Sequence, residues 1–493
     1  MPVIDTSKYR NFLARRLKET LTVKETYEAL RQEIADLTPD LADGASFATT
    51  NALLDDIDAA SSRLYLCIGR PSDWANDNNP PTPVDIPQNI EFEYWRDLLA
   101  AKRVMAEDAA YVVPRYNWTA NTVYTQYDDQ GVNGNANATF ANTQFYVLDS
   151  TELPYKVYKC LWNNNGAVST NAPSLTGNTV TPATTSDGYV WQYLYSIRSD
   201  DYKFLTDAWM PVKTDPDVET SAENNQGQLW EAVPLVMINN GNGFNPSGTF
   251  TFTYSGDGNG AVINTTSIPA ATAFSANTIA KIQMANGGLG YTTFSTVTIA
   301  QSGASSATAR VIIPPYPNHG YKPQIELGAS AIMLSVELND DELNRLTTVN
   351  NYRRILLMSD PMTPANTAAN GEFYRLTYDI TFTGNTGVFA PDDTLQVDNE
   401  SYPVSATVVD VVEQGANTVV RVTNVSDFGR TTPFVAGDTI LDMTQEGVEA
   451  TIAAVNNSQL LTFTGEILYA DQRAPVTRNP NQSEQINLVF KFQ

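Results

Sequence analysis

The segment IGRPSDWANDNNPPTPVD, residues 68–85, gathers Arg70, Asp73, Trp74 and Asp77 within eight positions and closes with three prolines. Two carboxylates beside a guanidinium can supply an acid and a base. The same residues can also make a stiff exit from a strand, held by Trp74 packing and an Arg70 pair with Asp73 or Asp77.

Elsewhere the side chains offer little to acid-base or nucleophilic chemistry. His319, in the turn PPYPNHGYKP, is the only histidine, so no His pair can hold a metal and any Ser-His-Asp or Cys-His site must use this ring. It reads as a satisfied turn residue. Cys67 and Cys160 sit in apolar strand patterns without a neighbouring thiol activator, and read as core residues. A glycosidase needs two carboxyl groups facing one sugar. The adjacent pairs Asp128 with Asp129, Asp340 with Asp341 and Asp392 with Asp393 would point to opposite faces of a strand, and read as solvated turns.

The glycine clusters NNGNGFNPSG and YSGDGNGA complete neither a dinucleotide fingerprint nor a P-loop and read as hairpin turns. NGNANA, 133–138, alternates oxygen-bearing side chains but lacks the sixth-position glycine and closing glutamate of a calcium loop. No catalytic residue, metal or cofactor is assigned. In DGYVWQYLYSI, 187–197, strand alternation puts Tyr189, Trp191, Tyr193 and Tyr195 on one face, with Val190, Gln192 and Leu194 on the other. Such a face is more often a core or a protein interface than a sugar platform. Arg70, Asp73, Trp74, Trp118, Tyr189, Trp191 and Tyr193 are therefore the candidate structural or interface residues.

The elements that carry these residues are mostly short strands. Apolar positions at Phe12, Leu13, Leu17, Leu21, Tyr27, Leu30, Ile34 and Leu37 predict an amphipathic helix over 7–40, and NALLDDIDAASSR a second helical stretch. Strands such as TQFYVLD, YKVYKCLW and GYVWQYLYSI follow, separated by Asn, Asp, Gly and Pro clusters. Within this body only EFEYWRDLLAAKRVMAED, 91–108, reads as a long helix.

Two internal repeats stand out. NGNGF, ending at Phe244, matches GGLGY, ending at Tyr291, at an offset of 47 residues that also aligns Phe250 and Phe252 with Val297 and Ile299. FAPDDTL, 389–395, recurs as FVAGDTI, 434–440, and SATVVDV recurs as EATIAAV. The second repeat lies in a segment, 376–465, with 12 acidic and two basic side chains.

The 493 residues predict two to four domains, and 42% hydrophobic residues are enough to fold them. A formal charge of −25 without a basic cluster disfavours direct nucleic-acid binding. Two cysteines make no disulfide framework, and neither a signal-type apolar region nor a membrane-length apolar run is present. A reduced cytoplasm is expected, without membrane insertion.

Five strings in collinear order carry a family likeness. YLCIGRPSDWANDNNPPTPVD, VVPRYNW (112–118), VYKCLW (157–162), DGYVWQYLYSI and RAPVTRNPNQSEQINLVFKF resemble the baseplate wedge proteins of T-even-like contractile-tailed bacteriophages. HGYKPQIELGASAIML (319–334) and NNYRRILLMSDP (350–361) resemble segments of longer members. The likeness covers about 60–210 and the last 30 residues; the arm and the duplicated segments depart from it. It implies a non-enzymatic virion protein of the tail baseplate, assembled in the host cytoplasm, homodimeric and docked on other wedge proteins. It carries over no catalytic residues.

The expected fold is mainly β: a multi-domain β-sandwich-type core with inserted small β lobes and an N-terminal helical arm. Its parts are an arm at 1–58, core segments at 59–215, 316–375 and 466–493, a duplicated lobe at 216–315 and an acidic duplicated lobe at 376–465. A receptor-binding tail protein that holds host-surface glycans is the alternative function, and a polysaccharide-degrading enzyme with paired carboxylates ranks below it.

Overall fold

A computed structural model describes residues 63–83 and 88–491, apart from 137, 139, 141, 175–179, 265–273, 341, 343, 344, 349, 385–387, 400, 402, 428, 429 and 431. The expected arm at 1–58 and the last two residues of the 68–85 loop lie outside the described residues. The described chain is mainly β, in antiparallel sheets. It divides into two compact units, 110–333 with 489–491, and 63–109 with 334–488.

In the first unit, one sheet runs Tyr146–Asp149, Tyr155–Trp162, Val190–Ile197 and Ala183–Thr184 in spatial order. Its two middle strands are covered on both faces, which is why their sequences are apolar and aromatic rather than alternating with polar residues. The 47-residue repeat occupies the same unit, and its copies interlock. Phe252 lies opposite Ile299, its own counterpart, where Thr251–Thr253 pairs with Val297–Ala300. Val236–Asn239 of the first copy pairs with Ala307–Arg310 of the second, and Gln283–Leu289 of the second pairs with Asn259–Asn264 of the first. Each copy thus completes the other's sheet around one core containing Phe244, Tyr291, Val297 and Ile299.

In the second unit, a five-stranded sheet runs Phe373–Arg375, Leu98–Arg103, Leu64–Gly69, Asn350–Ser359 and Glu466–Arg478 in spatial order. The expected helix over 91–108 is corrected here. The helix is Gln88–Arg96, and Leu98–Arg103 is a strand whose first five residues are buried beside Leu64–Gly69. LLAAKR has good helix propensity, but burial in a sheet overrides so weak a bias.

The acidic repeat forms a closed six-stranded barrel, with strands Tyr378–Thr383, Asn417–Ser426, Ser405–Gln414, Thr394–Val397, Thr439–Asp442 and Glu449–Asn456 in ring order. Gln396 lies opposite Leu441, its counterpart 45 positions on, so a local two-fold axis relates the halves. Leu395, Val397, Phe389, Phe434, Ile440 and Ile452 fill the interior. The matching turns are built alike. The Asp393 carboxylate accepts from Ala390 N at 2.7 Å, and Asp438 accepts from Val435 N at 3.0 Å. The residue before each aspartate has a left-handed backbone: Asp392 at φ 75° and Gly437 at φ 97°.

Open space surrounds the point where a side-chain methyl would stand on Gly437, so backbone conformation alone sets its identity. Gly437→Ala is expected to lower unfolding stability by about 1–2 kcal/mol in urea titration, with the barrel otherwise intact.

Candidate functional site

The 70–77 loop is clamped onto the second unit by side chains from distant strands. Arg353, on the strand Asn350–Ser359 with its side chain 5% exposed, holds Asp73 at 2.8 Å and Asp77 at 2.9 Å. Half-buried Trp74 donates its indole N–H to the Arg473 carbonyl at 2.8 Å. The expected pairing of Arg70 with Asp73 or Asp77 is therefore corrected. Arg70 pairs with Asp392 of the barrel at 2.5 Å, and Arg353 takes both loop aspartates. The physical reason is that Arg353 is more deeply buried and needs its charge compensated where it stands.

At the root of the loop, Arg70 N donates to the Asp97 carbonyl at 2.7 Å. A Cβ on Gly69 would fall 2.4 Å from Asp97 Oδ1, so only glycine lets the two chains approach this closely. Asp97 in turn pairs with Arg354, whose guanidinium lies 4.0 Å from the Tyr94 ring centroid. Asp73 and Asp77 each give one carboxylate oxygen to a single guanidinium that is itself buried, so the pair holds the loop's shape.

The aromatic stripe lies in the interior of the first unit. Tyr189, Trp191 and Tyr193 are all fully buried, together with Tyr124, Tyr158 and Cys160. Tyr189 stacks on Trp191 at 5.6 Å, and Trp118 packs against the same cluster while donating its indole N–H to Ser169 Oγ at 3.1 Å. The expected fourth member is corrected. Register shifts between Val157 and Tyr158, opposite Tyr195 and Tyr193, so Leu194 is an extra residue and Tyr195 joins a different cluster with Val157 and Leu148. Alternation fails at a bulge because one inserted residue swaps the faces of everything beyond it.

The acidic pairs expected as solvated turns are also corrected in part. Asp128 is buried and pairs with Arg310, which holds Asp129 at 3.0 Å. Asp393 is buried as a turn cap, while Asp392 meets Arg70.

Sequence patterns missed one buried charge cluster altogether. Lys159, fully buried in the strand Tyr155–Trp162, pairs with Glu326 and lies 3.6 Å from the Tyr127 ring centroid. Glu326 Oε1 is 2.9 Å from His319 Nδ1, and its Oε2 accepts from Gly320 N at 2.6 Å. The available signal was Lys159, followed by the apolar run Cys160, Leu161 and Trp162 in YKVYKCLW, where burial forces a counter-charge. Burial, with the Lys159 charge beside it, holds the His319 imidazole down at about 4, outweighing the Glu326 hydrogen bond. Burial alone would raise Glu326, but Lys159 and His319 hold it at about 2. The cluster is a neutral imidazole locking an ion pair, with no room for a substrate: the cavity His319 borders measures about 20 Å³.

Among the described residues, no three His, Cys, Asp or Glu side chains gather as a metal site would require. No helix among them is long and apolar enough to cross a membrane. No family model matches the chain, and no curated protein matches it.

Two outcomes follow from these contacts. Trp74→Ala should lower urea stability by about 1–2 kcal/mol, since a half-buried indole loses part of the usual core cost and one hydrogen bond. The chain's single imidazole resonance should titrate near pH 4 rather than 6.5 in a proton NMR series. A depressed histidine contributes stability that is present above 6.5 and is lost as pH falls toward 4, because the unfolded chain takes up the proton first. His319→Gln should flatten that part of the stability profile.

Proposed function

We propose that the chain is a structural, non-enzymatic subunit of the baseplate wedge of a contractile phage tail. It acts as a homodimer that joins neighbouring wedge proteins and helps transmit baseplate rearrangement when the sheath contracts. On this reading, segments 59–215, 316–375 and 466–493 form a β-sandwich-type core into which the two duplicated segments are inserted, and the protein resides in the virion.

One observation carries the reading. Three strings that bear the family likeness, IGRPSDWAND, NNYRRILLMSDP and RAPVTRNP, lie far apart in the chain and meet in one network: Asp73 and Asp77 on Arg353, and Trp74 on Arg473. Residues of a shared fingerprint that serve to fix a loop support a role in shape and joining. Asp73 remains 84% exposed while so held, which suits a rigid knuckle offered to a neighbour. The interlocked repeats support it too, because load on one copy is shared with strands of the other.

A second reading, a tail protein that recognises host-surface glycans, draws on one observation, an amide-lined cleft in the first unit.

The wedge reading predicts a dimer in light scattering of the purified protein. It also predicts a stable complex when the protein is co-expressed with the tail proteins encoded beside it. A strictly monomeric protein that leaves those partners unbound would overturn it.

A further inference from the structure

The first unit carries a cleft of about 530 Å³ between the Asn163–Gly166 turn, the loop holding Asp128 and Asn133, and the duplicated segment at Met237 and Lys281. Its volume lies in the range of sites that hold a small ligand, about 300–1,000 Å³. Two kinds of amide line it. Asn163 is a frame residue: its Nδ2 donates to the Tyr124 carbonyl at 3.0 Å and its Oδ1 accepts from Gly166 N at 3.0 Å. Asn133 and Asn165 stand at φ 54° and 57°, and among the described residues the protein engages neither side-chain amide.

The charges in the cleft are unbalanced. Arg310 is shared by Asp128 and Asp129, while Lys281 has no carboxylate partner among the described residues. In a chain of net charge −25, a half-buried lysine left unpaired in a concave site is the exception. Burial lowers the pKa of Lys281, a cost that an anionic group in the cleft would offset. Trp162, which also lines the cleft, is 4% exposed, and its indole N–H is buried without a partner among the described residues.

We infer that this cleft binds an acidic saccharide, with the carboxylate on Lys281 and ring hydroxyls on the amides of Asn133 and Asn165. An amide can donate to one hydroxyl and accept from its neighbour, which is the pattern a sugar ring presents. The carboxylate forms the charge-assisted bond that Lys281 lacks. Nothing in the wedge role requires this site, so the two stand or fall separately.

The test is saturation-transfer NMR and calorimetry of the full chain with D-glucuronic acid, with glucose and acetate as controls. Transfer to glucuronate is expected, weaker to glucose and absent for acetate. Lys281→Met should weaken binding about tenfold or more, Lys281→Arg should largely keep it, and Asn165→Ala should weaken it several-fold. Unfolding midpoints of the variants show that each is folded. Absence of transfer to glucuronate, equal transfer to glucose, or unchanged binding in a folded Lys281→Met protein would each overturn the proposal.

Discussion

A guanidinium inside a protein must meet its counter-charge where it stands, and the second unit is arranged around that requirement. Arg353 and Arg354 are consecutive on one strand and take different partners. One draws in the 70–77 loop through two aspartates, and the other holds Asp97 at the end of the helix Gln88–Arg96. Removing either cation would leave the carboxylates it faces without that counter-charge. Arg70 continues the series by reaching the barrel at Asp392. The exposed members of such pairs contribute at most about 1 kcal/mol each, so their weight lies in fixing position rather than in adding stability.

Asp392 shows how two copies of one motif diverge under a new demand. The barrel turn needs a left-handed residue, and Gly437 meets that need without strain. Its counterpart is an aspartate, among the side chains that tolerate this conformation best, and its carboxylate is what Arg70 binds. The same backbone position is spent on flexibility in one half and on a contact in the other. Asp393 and Asp438, which cap the two turns, are unchanged between the copies because the turn itself needs them.

Much of this was legible in the chain. Both repeats announced themselves through glycine, aromatic and acidic turn residues, whose roles are local. The glycines and prolines around Arg70 marked a shaped loop, and the aromatic run 189–195 marked a core. Partners were not legible, because they are non-local. Nothing within 70–85 names Arg353, which is 276 positions from Asp77. The change of face at Tyr195 is not legible, because a bulge leaves no mark in the alternation before it. LLAAKR hides its strand because a strand buried in a sheet can be written in helix-forming residues. The Lys159, Glu326 and His319 cluster draws its members from positions up to 167 apart, and only the lysine looked out of place.

The interlocking of the 47-residue repeat has a consequence for assembly. Were the two copies separate molecules, each would exchange its last strand with the other, and the lobe would exist only as an obligate dimer whose population depended on dilution. Tethering them in one chain turns that second-order encounter into an internal one, with an effective concentration set by the tether rather than by expression level. The pairings between the copies are therefore made within one chain rather than between two.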